Sequence, residues 1–175
     1  MGGRDKGLIT LDGRRLVDIA LDHVATCCDK VVISANRNQA VYAATGHTVV
    51  SDVRADYQGP LAGIESALEQ VHTPLMLLLP VDCPHPPQGW VERLQSALAA
   101  SPQARIAVPH DGERMQPLFS LLRTSVRDDL LRFLDDGERK VQAWVRRVGA
   151  VEVDFSDQPE AFTNLNTPQD LQRHE

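Results

Sequence analysis

The chain has 175 residues and a mass of 19.3 kDa, a length typical of one domain, and we expect residues 1–175 to form it. Hydrophobic residues make up 42% of the chain, which is enough for a packed core and excludes disorder as its main state. The 24 acidic and 18 basic residues give a net charge of −6. This charge argues against nucleic-acid binding but still allows a local cationic pocket.

Apolar segments of two kinds alternate along the chain. In chain order, they predict a helix at 16–27, strands at 31–33 and 48–50, a helix at 60–71, a strand at 75–79, a helix from about 87 to 98, strands at 106–108 and 118–122, helices at 125–134 and 141–147, and a strand at 151–153. This alternation predicts a three-layer α/β/α fold with a mostly parallel mixed sheet. We expect the most apolar run, 75–79, to be a central strand with both faces covered.

The cysteines and the apolar runs indicate in which cellular compartment the protein lies and whether it contacts a membrane. Cys27, Cys28 and Cys83 lack the spacing of a metal site, and adjacent cysteines rarely form a disulfide. We therefore expect a reduced, cytoplasmic protein. No apolar run approaches the ~20 residues of a membrane span, and no signal peptide is recognisable, so we expect no membrane partner.

Polar side chains that follow the predicted strands are the candidate site residues, because ligands of such sheets bind at the carboxyl ends of strands. Asp82 follows the most apolar strand, where a single carboxylate suits Mg²⁺ as well as it suits a turn cap. Cys83 beside it has no histidine placed by sequence to activate it, and a buried loop thiol is the better interpretation.

The remaining candidates are weaker when each is taken alone. Asp52 precedes a glycine-rich helix start, and Ser34 and Asn36 follow the first predicted strand. The segment 1–7, which combines a few glycines with Lys6, is similar to the end of a phosphate-binding loop, although its glycine content is low. Asn164 and Asn166 alternate before a Thr-Pro helix start. Each of these segments on its own is more typical of an ordinary polar loop or terminus.

Taken together, five segments are far more specific. Their order and spacing resemble the molybdenum cofactor guanylyltransferases (the MobA family), from residue 1 to about residue 173: MGGRDKGL, SANRNQ, SDVRADYQGPLAGI, LLLPVDCPHPP and FTNLNTPQDL. The resemblance implies a Rossmann-like nucleotidyltransferase fold. It also implies Mg²⁺-dependent transfer of GMP from GTP to molybdopterin, with pyrophosphate as the second product.

The resemblance also assigns roles to the candidates. Lys6 and Asp82 are implied as catalytic residues, with Lys6 on the GTP phosphates and Asp82 binding both Mg²⁺ and the phosphates. The nucleotide side is implied for Ser34, Asn36 and Asp52. Contacts with the pterin are implied for segments 111–118 and 137–140 and for Asn164 and Asn166.

The chain departs from the family at two places. Ser34 stands where the family often has an Asn near the nucleotide, and Asn36 lies close enough to replace it. The family also has a first strand and an LAGG-type loop before the segment that corresponds to 2–7, and neither precedes it in this chain. We expect loss of that strand to impair GTP binding and to destabilise the sheet.

Two alternatives remain open at this point. A related nucleotidyltransferase that uses CTP or a sugar phosphate shares the GPLAG and PVD segments, and a non-catalytic nucleotide-binding module is favoured by the missing loop. We expect a monomer with transient contacts to other proteins of cofactor biosynthesis.

Overall fold

The computed structural model describes residues 5–54 and 59–165. The α-helices of this part are α1 (Leu16–Ala25), α2 (Gln39–Ala43), α3 (Pro60–Leu68), α4 (Trp90–Ala100), α5 (Arg127–Asp135) and α6 (Val141–Val148). Its strands are β1 (Thr10–Leu11), β2 (Arg14–Arg15), β3 (Val32–Ser34), β4 (Thr48–Val50), β5 (Leu75–Leu77), β6 (Ile106–His110), β7 (Leu121–Arg123) and β8 (Ala150–Asp154). Short 3₁₀ helices lie at Lys6–Leu8, Pro117–Phe119, Thr124–Val126 and Pro159–Phe162.

The helices and strands predicted between residues 16 and 153 are all present, and the main differences concern where two strands begin or end. The strand predicted at 118–122 begins only at Leu121, because Pro117 starts a 3₁₀ turn through Phe119. The strand predicted at 75–79 ends at Leu77, because its partner β7 begins only at Leu121. The predicted helix start at 167 lies outside the described residues.

The strands form one four-stranded sheet and two separate pairs. In the larger sheet the order is β5-β7-β6-β8, with β6 and β8 parallel and β7 antiparallel to both β5 and β6. Strands β3 and β4 form a parallel pair, and β1 and β2 form a hairpin. The expectation that β5 is a central strand is wrong for this part of the chain: β5 lies at the end of the order and pairs with β7 alone.

Helices cover both faces of the larger sheet, which confirms the three-layer arrangement. Alternate residues of a strand point to opposite faces, so neighbouring residues enter different cores. Ile106 and Val108 pack with α3, α5 and α6, whereas Ala107 packs with α4. All three side chains are fully buried.

An apolar slot separates β3 from β5. It has a volume of about 810 Å³, and β3, β5 and the helices α1 and α3 contribute to its walls. Among the described residues β3 pairs only with β4 and β5 only with β7, so the strand edges that border the slot have no strand partner. Val32, Ile33 and Leu77 are consequently only partly buried, unlike residues of an interior strand.

None of the helices in the described ranges is long and apolar enough to cross a membrane.

Candidate active site

The candidate site lies where the carboxyl ends of β3, β4 and β5 meet the amino-terminal 3₁₀ turn. Strand β3 ends at Ser34, β4 ends two residues before Asp52, and Asp82 follows the β5 segment. The turn Lys6–Leu8 connects these strand ends, because Asp5 contacts the segment after β3 and Lys6 contacts the segment after β5. Side chains from four distant parts of the sequence are thereby brought to one edge.

Lys6 and Asp82 form the charged centre of this edge. The Lys6 Nζ atom donates to the Asp82 Oδ2 atom at 2.7 Å. The Asp82 side chain is 14% exposed and that of Lys6 is 38% exposed, so the acid is the more recessed of the two. The two predicted catalytic residues are therefore in direct contact, with a cation and a carboxylate side by side.

Asp5 anchors the turn that carries Lys6. Its carboxylate accepts hydrogen bonds from the Tyr42 hydroxyl, from the Asn38 amide at 3.0 Å and from the Gly7 backbone N–H at 3.2 Å. Burial raises the pKa of Tyr42, and the bond to Asp5 adds to this effect, so the hydroxyl remains a donor at neutral pH. No sequence signal pointed to Tyr42 or Asn38, since nothing in their spacing connects them to residue 5.

Asn36 and Asp52 connect the segments that follow β3 and β4 through two hydrogen bonds. Asn36 Nδ2 donates to Asp52 Oδ2 at 2.8 Å, and the Asp52 backbone N–H donates to Asn36 Oδ1 at the same distance. Both side chains retain exposed surface. Two of the three predicted nucleotide-side residues thus form one hydrogen-bonded unit.

Ser34, the third of them, packs against α3. A Cβ atom on Gly63 would lie 2.6 Å from Ser34 Oγ and 3.6 Å from Asp52 Oδ1. Glycine at this position therefore allows the amino-terminal part of α3 to approach the ends of β3 and β4 closely.

The carboxyl-terminal part of the described chain returns to Asp82. The Leu165 backbone N–H donates to the Asp82 carbonyl at 2.9 Å, and the Cys83 thiol donates to Asn164 Oδ1 at 2.8 Å. Asn164 therefore lies beside the segment that carries Asp82, the predicted metal ligand. Asn166 lies outside the described residues.

Cys83 is a structural thiol in this arrangement. Burial, together with the charge of the neighbouring Asp82 carboxylate, raises the pKa of the Cys83 thiol to about 12. The thiol is therefore protonated at neutral pH and is a poor nucleophile. This agrees with its interpretation as a buried loop cysteine.

The two other segments predicted for the pterin side lie at the same edge of the fold. Asp111 follows β6 and organises a tight turn, because its Oδ1 atom accepts from the backbone N–H groups of Glu113 and Arg114, each at 2.8 Å. Segment 137–140 joins α5 to α6, and Arg54, two residues beyond Asp52, forms an ion pair of 2.7 Å with Asp135 at the end of α5.

Arg54 also forms an ion pair that the sequence did not predict. Its guanidinium contacts both carboxylate oxygens of Glu65 on α3, at 2.8 to 3.0 Å. Glu65 is only 6% exposed, and buried carboxylates require such a partner. Arg54 therefore ties the loop after β4 to both α3 and α5.

The sequence matches one family and a set of relatives over most of its length. Residues 1–151 match the family described as MobA-like NTP transferase domain. The molybdenum cofactor guanylyltransferase of Shewanella sediminis is 43% identical over 173 residues, which cover 99% of this chain and 88% of that protein. The protein of the same name from Shewanella loihica is 42% identical with the same coverage.

Solved structures with the same fold include two nucleotide-related proteins. The crystal structure of molybdopterin-guanine dinucleotide biosynthesis protein A from Archaeoglobus fulgidus superposes with a TM-score of 0.78 at 22% identity, covering 99% of this chain and 90% of that chain. For the 2-C-methyl-D-erythritol 4-phosphate cytidylyltransferase of Thermus thermophilus the TM-score is 0.69 at 20% identity, with 97% and 92% covered. These likenesses confirm the predicted Rossmann-like nucleotidyltransferase fold.

Proposed function

The chain belongs to the family of MobA-like NTP transferase domains, and we propose that it transfers GMP from GTP to molybdopterin, releasing pyrophosphate. The observation that carries this proposal is the 43% identity, over 99% of the chain, to a molybdenum cofactor guanylyltransferase. The contact between Lys6 and Asp82 supports it, because the chemistry needs a cation and a metal-binding oxygen at one place.

The proposed roles of the charged residues follow from the charges of the reactants. The attacking group is a phosphate monoester with a second pKa of about 6, so it is largely dianionic near neutral pH and needs no strong general base. The difficulty is to bring this anion to a triphosphate and to stabilise the departing pyrophosphate. Lys6, whose side chain is partly exposed, binds the triphosphate through its ammonium group.

Asp82 is the residue that would hold Mg²⁺. The ion prefers oxygen ligands and commonly uses one or two carboxylates together with substrate phosphates, and the recessed Asp82 carboxylate fits this pattern. In the described ranges no three His, Cys, Asp or Glu side chains are grouped as a metal cluster, so substrate oxygens would complete its coordination. Bound there, Mg²⁺ supplies positive charge to the phosphates.

The described residues that are proposed to contact the nucleotide and the pterin lie at the same edge of the sheet as Asp82. Ser34, Asn36 and Asp52 would contact the guanosine part, because their polar atoms lie at the ends of β3 and β4. The turn at 111–118, segment 137–140 and Asn164 would contact the pterin, and Asn166 belongs to the same proposal.

We infer that one further extended strand fills the slot between β3 and β5 in the active enzyme, as the family's first strand would. Such a strand would satisfy both strand edges and bury the partly exposed apolar side chains that line the slot. Hydrogen exchange at β3 and β5 in the active enzyme tests this, because a strand paired with both edges would slow the exchange of their amides. Exchange at β3 and β5 that remains much faster than at β6 would contradict it.

The test of function is pyrophosphate release with molybdopterin and Mg²⁺ supplied, accompanied by thermal-shift measurements with GTP, CTP, ATP and UTP. We expect pyrophosphate release with GTP but not with CTP, ATP or UTP. We also expect GTP to raise the melting temperature more than the other three nucleotides do. A preference for CTP would instead favour cytidylyl transfer, the activity in the name of a protein with the same fold. Nucleotide binding without release would identify a non-catalytic module.

We also propose that the protein acts as a single-domain monomer in the cytoplasm, with transient contacts to other proteins of cofactor biosynthesis. The three cysteines are free, as in a reducing compartment. Size-exclusion chromatography with light scattering tests the monomer, and a stable dimer at micromolar concentration would contradict it.

A further inference from the structure

Tyr42 and Asn38 are far from Lys6 in sequence but lie directly beneath the turn that carries it. Tyr42 belongs to α2, and Asn38 is the residue that precedes this helix. Both donate to the carboxylate of Asp5, the residue immediately before Lys6. The same carboxylate caps the turn Lys6–Leu8 through the Gly7 backbone N–H.

The packing of Tyr42 makes this contact specific. Tyr42 is 4% exposed, and its ring and hydroxyl lie against Gly7, which is itself buried. A Cβ atom on Gly7 would collide with the Tyr42 hydroxyl, so the turn can approach α2 this closely only with glycine there. The Tyr42 side chain therefore packs against the backbone of residues 5–7 and restricts its position.

Asn38 is matched to its place by its backbone conformation. Its φ of 50° lies in the left-handed region, which asparagine tolerates better than most residues. This conformation starts α2 at Gln39, while the Asn38 amide reaches Asp5.

We propose that Tyr42 and Asn38 are positioning residues for Lys6, acting through the Asp5 carboxylate. They fix the turn so that the Lys6 ammonium projects towards Asp82 at 2.7 Å. Neither side chain needs to touch the nucleotide. The kinetic part of this inference rests on the proposed function, whereas the placement of the turn does not.

The test combines a conservative variant with a readout independent of turnover. Tyr42→Phe keeps the ring and removes only the hydroxyl that donates to Asp5. We expect amide hydrogen exchange at Gly7 and Leu8 to accelerate by about tenfold, since a hydrogen bond to a charged group is lost. Asn38→Gly keeps the left-handed backbone, removes the amide, and should give a similar but smaller acceleration.

Thr45→Ala is the matched control. It removes a hydrogen bond of 2.6 Å from the Thr45 hydroxyl to the Tyr42 carbonyl, beside the same helix and away from Asp5. We expect this variant to leave exchange at Gly7 unchanged. Unchanged exchange at Gly7 in Tyr42→Phe, or an equal acceleration in Thr45→Ala, would overturn the inference.

A double-mutant cycle with Lys6 then separates positioning from general stability. We expect Tyr42→Phe to lower kcat/KM for GTP by about tenfold in the natural chain but to have almost no effect in a Lys6→Met background. Equal effects in both backgrounds would mean that Tyr42 does not act through Lys6. Absence of turnover in the unsubstituted protein would contradict the proposed function, while the exchange measurement would still decide the placement of the turn.

Discussion

At the residue scale, the contact between Lys6 and Asp82 joins side chains that are 76 positions apart. A carboxylate with a neighbouring ammonium can hold a divalent ion only when anionic phosphate also enters the site, because the ammonium then turns to the phosphate. Recessed Asp82 and more exposed Lys6 fit this exchange of partners.

Replacement of Asp82 should therefore abolish most of the activity. For Asp82→Ala we expect kcat to fall by about 100-fold or more at saturating Mg²⁺, because the carboxylate that would hold Mg²⁺ beside the phosphates is removed. The measurement is the rate of pyrophosphate release, with circular dichroism as the control for folding. A folded Asp82→Ala protein with a nearly natural rate would show that Asp82 is not the metal ligand.

Gly63 gives a second prediction at the residue scale. A methyl group there would lie 2.6 Å from Ser34 Oγ, so Gly63→Ala should turn the Ser34 hydroxyl away from its present place. We expect GTP affinity to fall by about three- to tenfold, the loss of one neutral hydrogen bond.

Ser34→Ala provides the matched comparison for Gly63→Ala. If the effect acts through Ser34, the two single variants and the double variant should bind GTP equally weakly in calorimetry. A double variant much weaker than either single variant would contradict the link between Gly63 and Ser34.

At the element scale, ion pairs fix how the helices sit on the sheet. Arg105 begins the segment that leads into β6, and its guanidinium donates to Asp129 on α5 and to the Ser125 carbonyl before that helix. Asp129 lies in the first turn of α5, where the helix dipole also favours a negative charge.

This arrangement predicts a contribution to stability that depends on pH. The hydrogen bond from Arg105 lowers the pKa of Asp129 below its ordinary value of 3.8, and Arg132 adds to the effect. Because the unfolded chain protonates this acid at a higher pH than the folded chain, the contribution is complete well above pH 3.8. It is lost as the pH falls through the lower pKa of the folded state.

For Asp129→Asn we therefore expect a smaller loss of unfolding free energy between pH 7 and pH 3 than in the natural chain. Urea denaturation at both values measures this difference. The control is Asp128→Asn, which removes an exposed acid from the same helical turn and leaves the contact with Arg105 in place. Identical pH dependence in Asp129→Asn and in the natural chain would contradict the prediction.

At the scale of the whole molecule, the described strands differ in how fully they are paired and buried. Strands β6 and β7 each pair on both sides within the described sheet and most of their side chains are buried, whereas β3 and β5 border the apolar slot of about 810 Å³. Backbone amides at a strand edge without a partner open to solvent more readily than amides inside a sheet.

We therefore expect uneven hydrogen exchange across the sheet in a chain of residues 1–175. Amides of Val32–Ser34 and Leu75–Leu77 should exchange at least about tenfold faster than those of Ile106–His110. Exchange followed by mass spectrometry on peptic peptides measures this. Equal protection of all three strands would mean that the slot is closed in solution.

The sequence alone determined the succession of helices and strands, because burial requires apolar residues at the spacing of each element. It also indicated the edge of the sheet where the site lies, since Asp82 and Asp52 follow apolar runs. The hairpin turn at Asp12 and Gly13 and the helix α2 were missed; the Asp-Gly pair was a usable signal, whereas α2 has only five residues.

Only the tertiary structure decided which side chains meet. The contacts of Tyr42 and Asn38 with Asp5, and of Arg54 with Glu65, join residues whose separations follow no helical or strand period. The position of β5 at the end of the described sheet could not be predicted from the sequence either. A strand covered on both faces has the same apolar sequence whether it pairs on one side or on two. Local sequence governs the conformation and burial of an element, whereas its neighbours depend on how the whole chain packs.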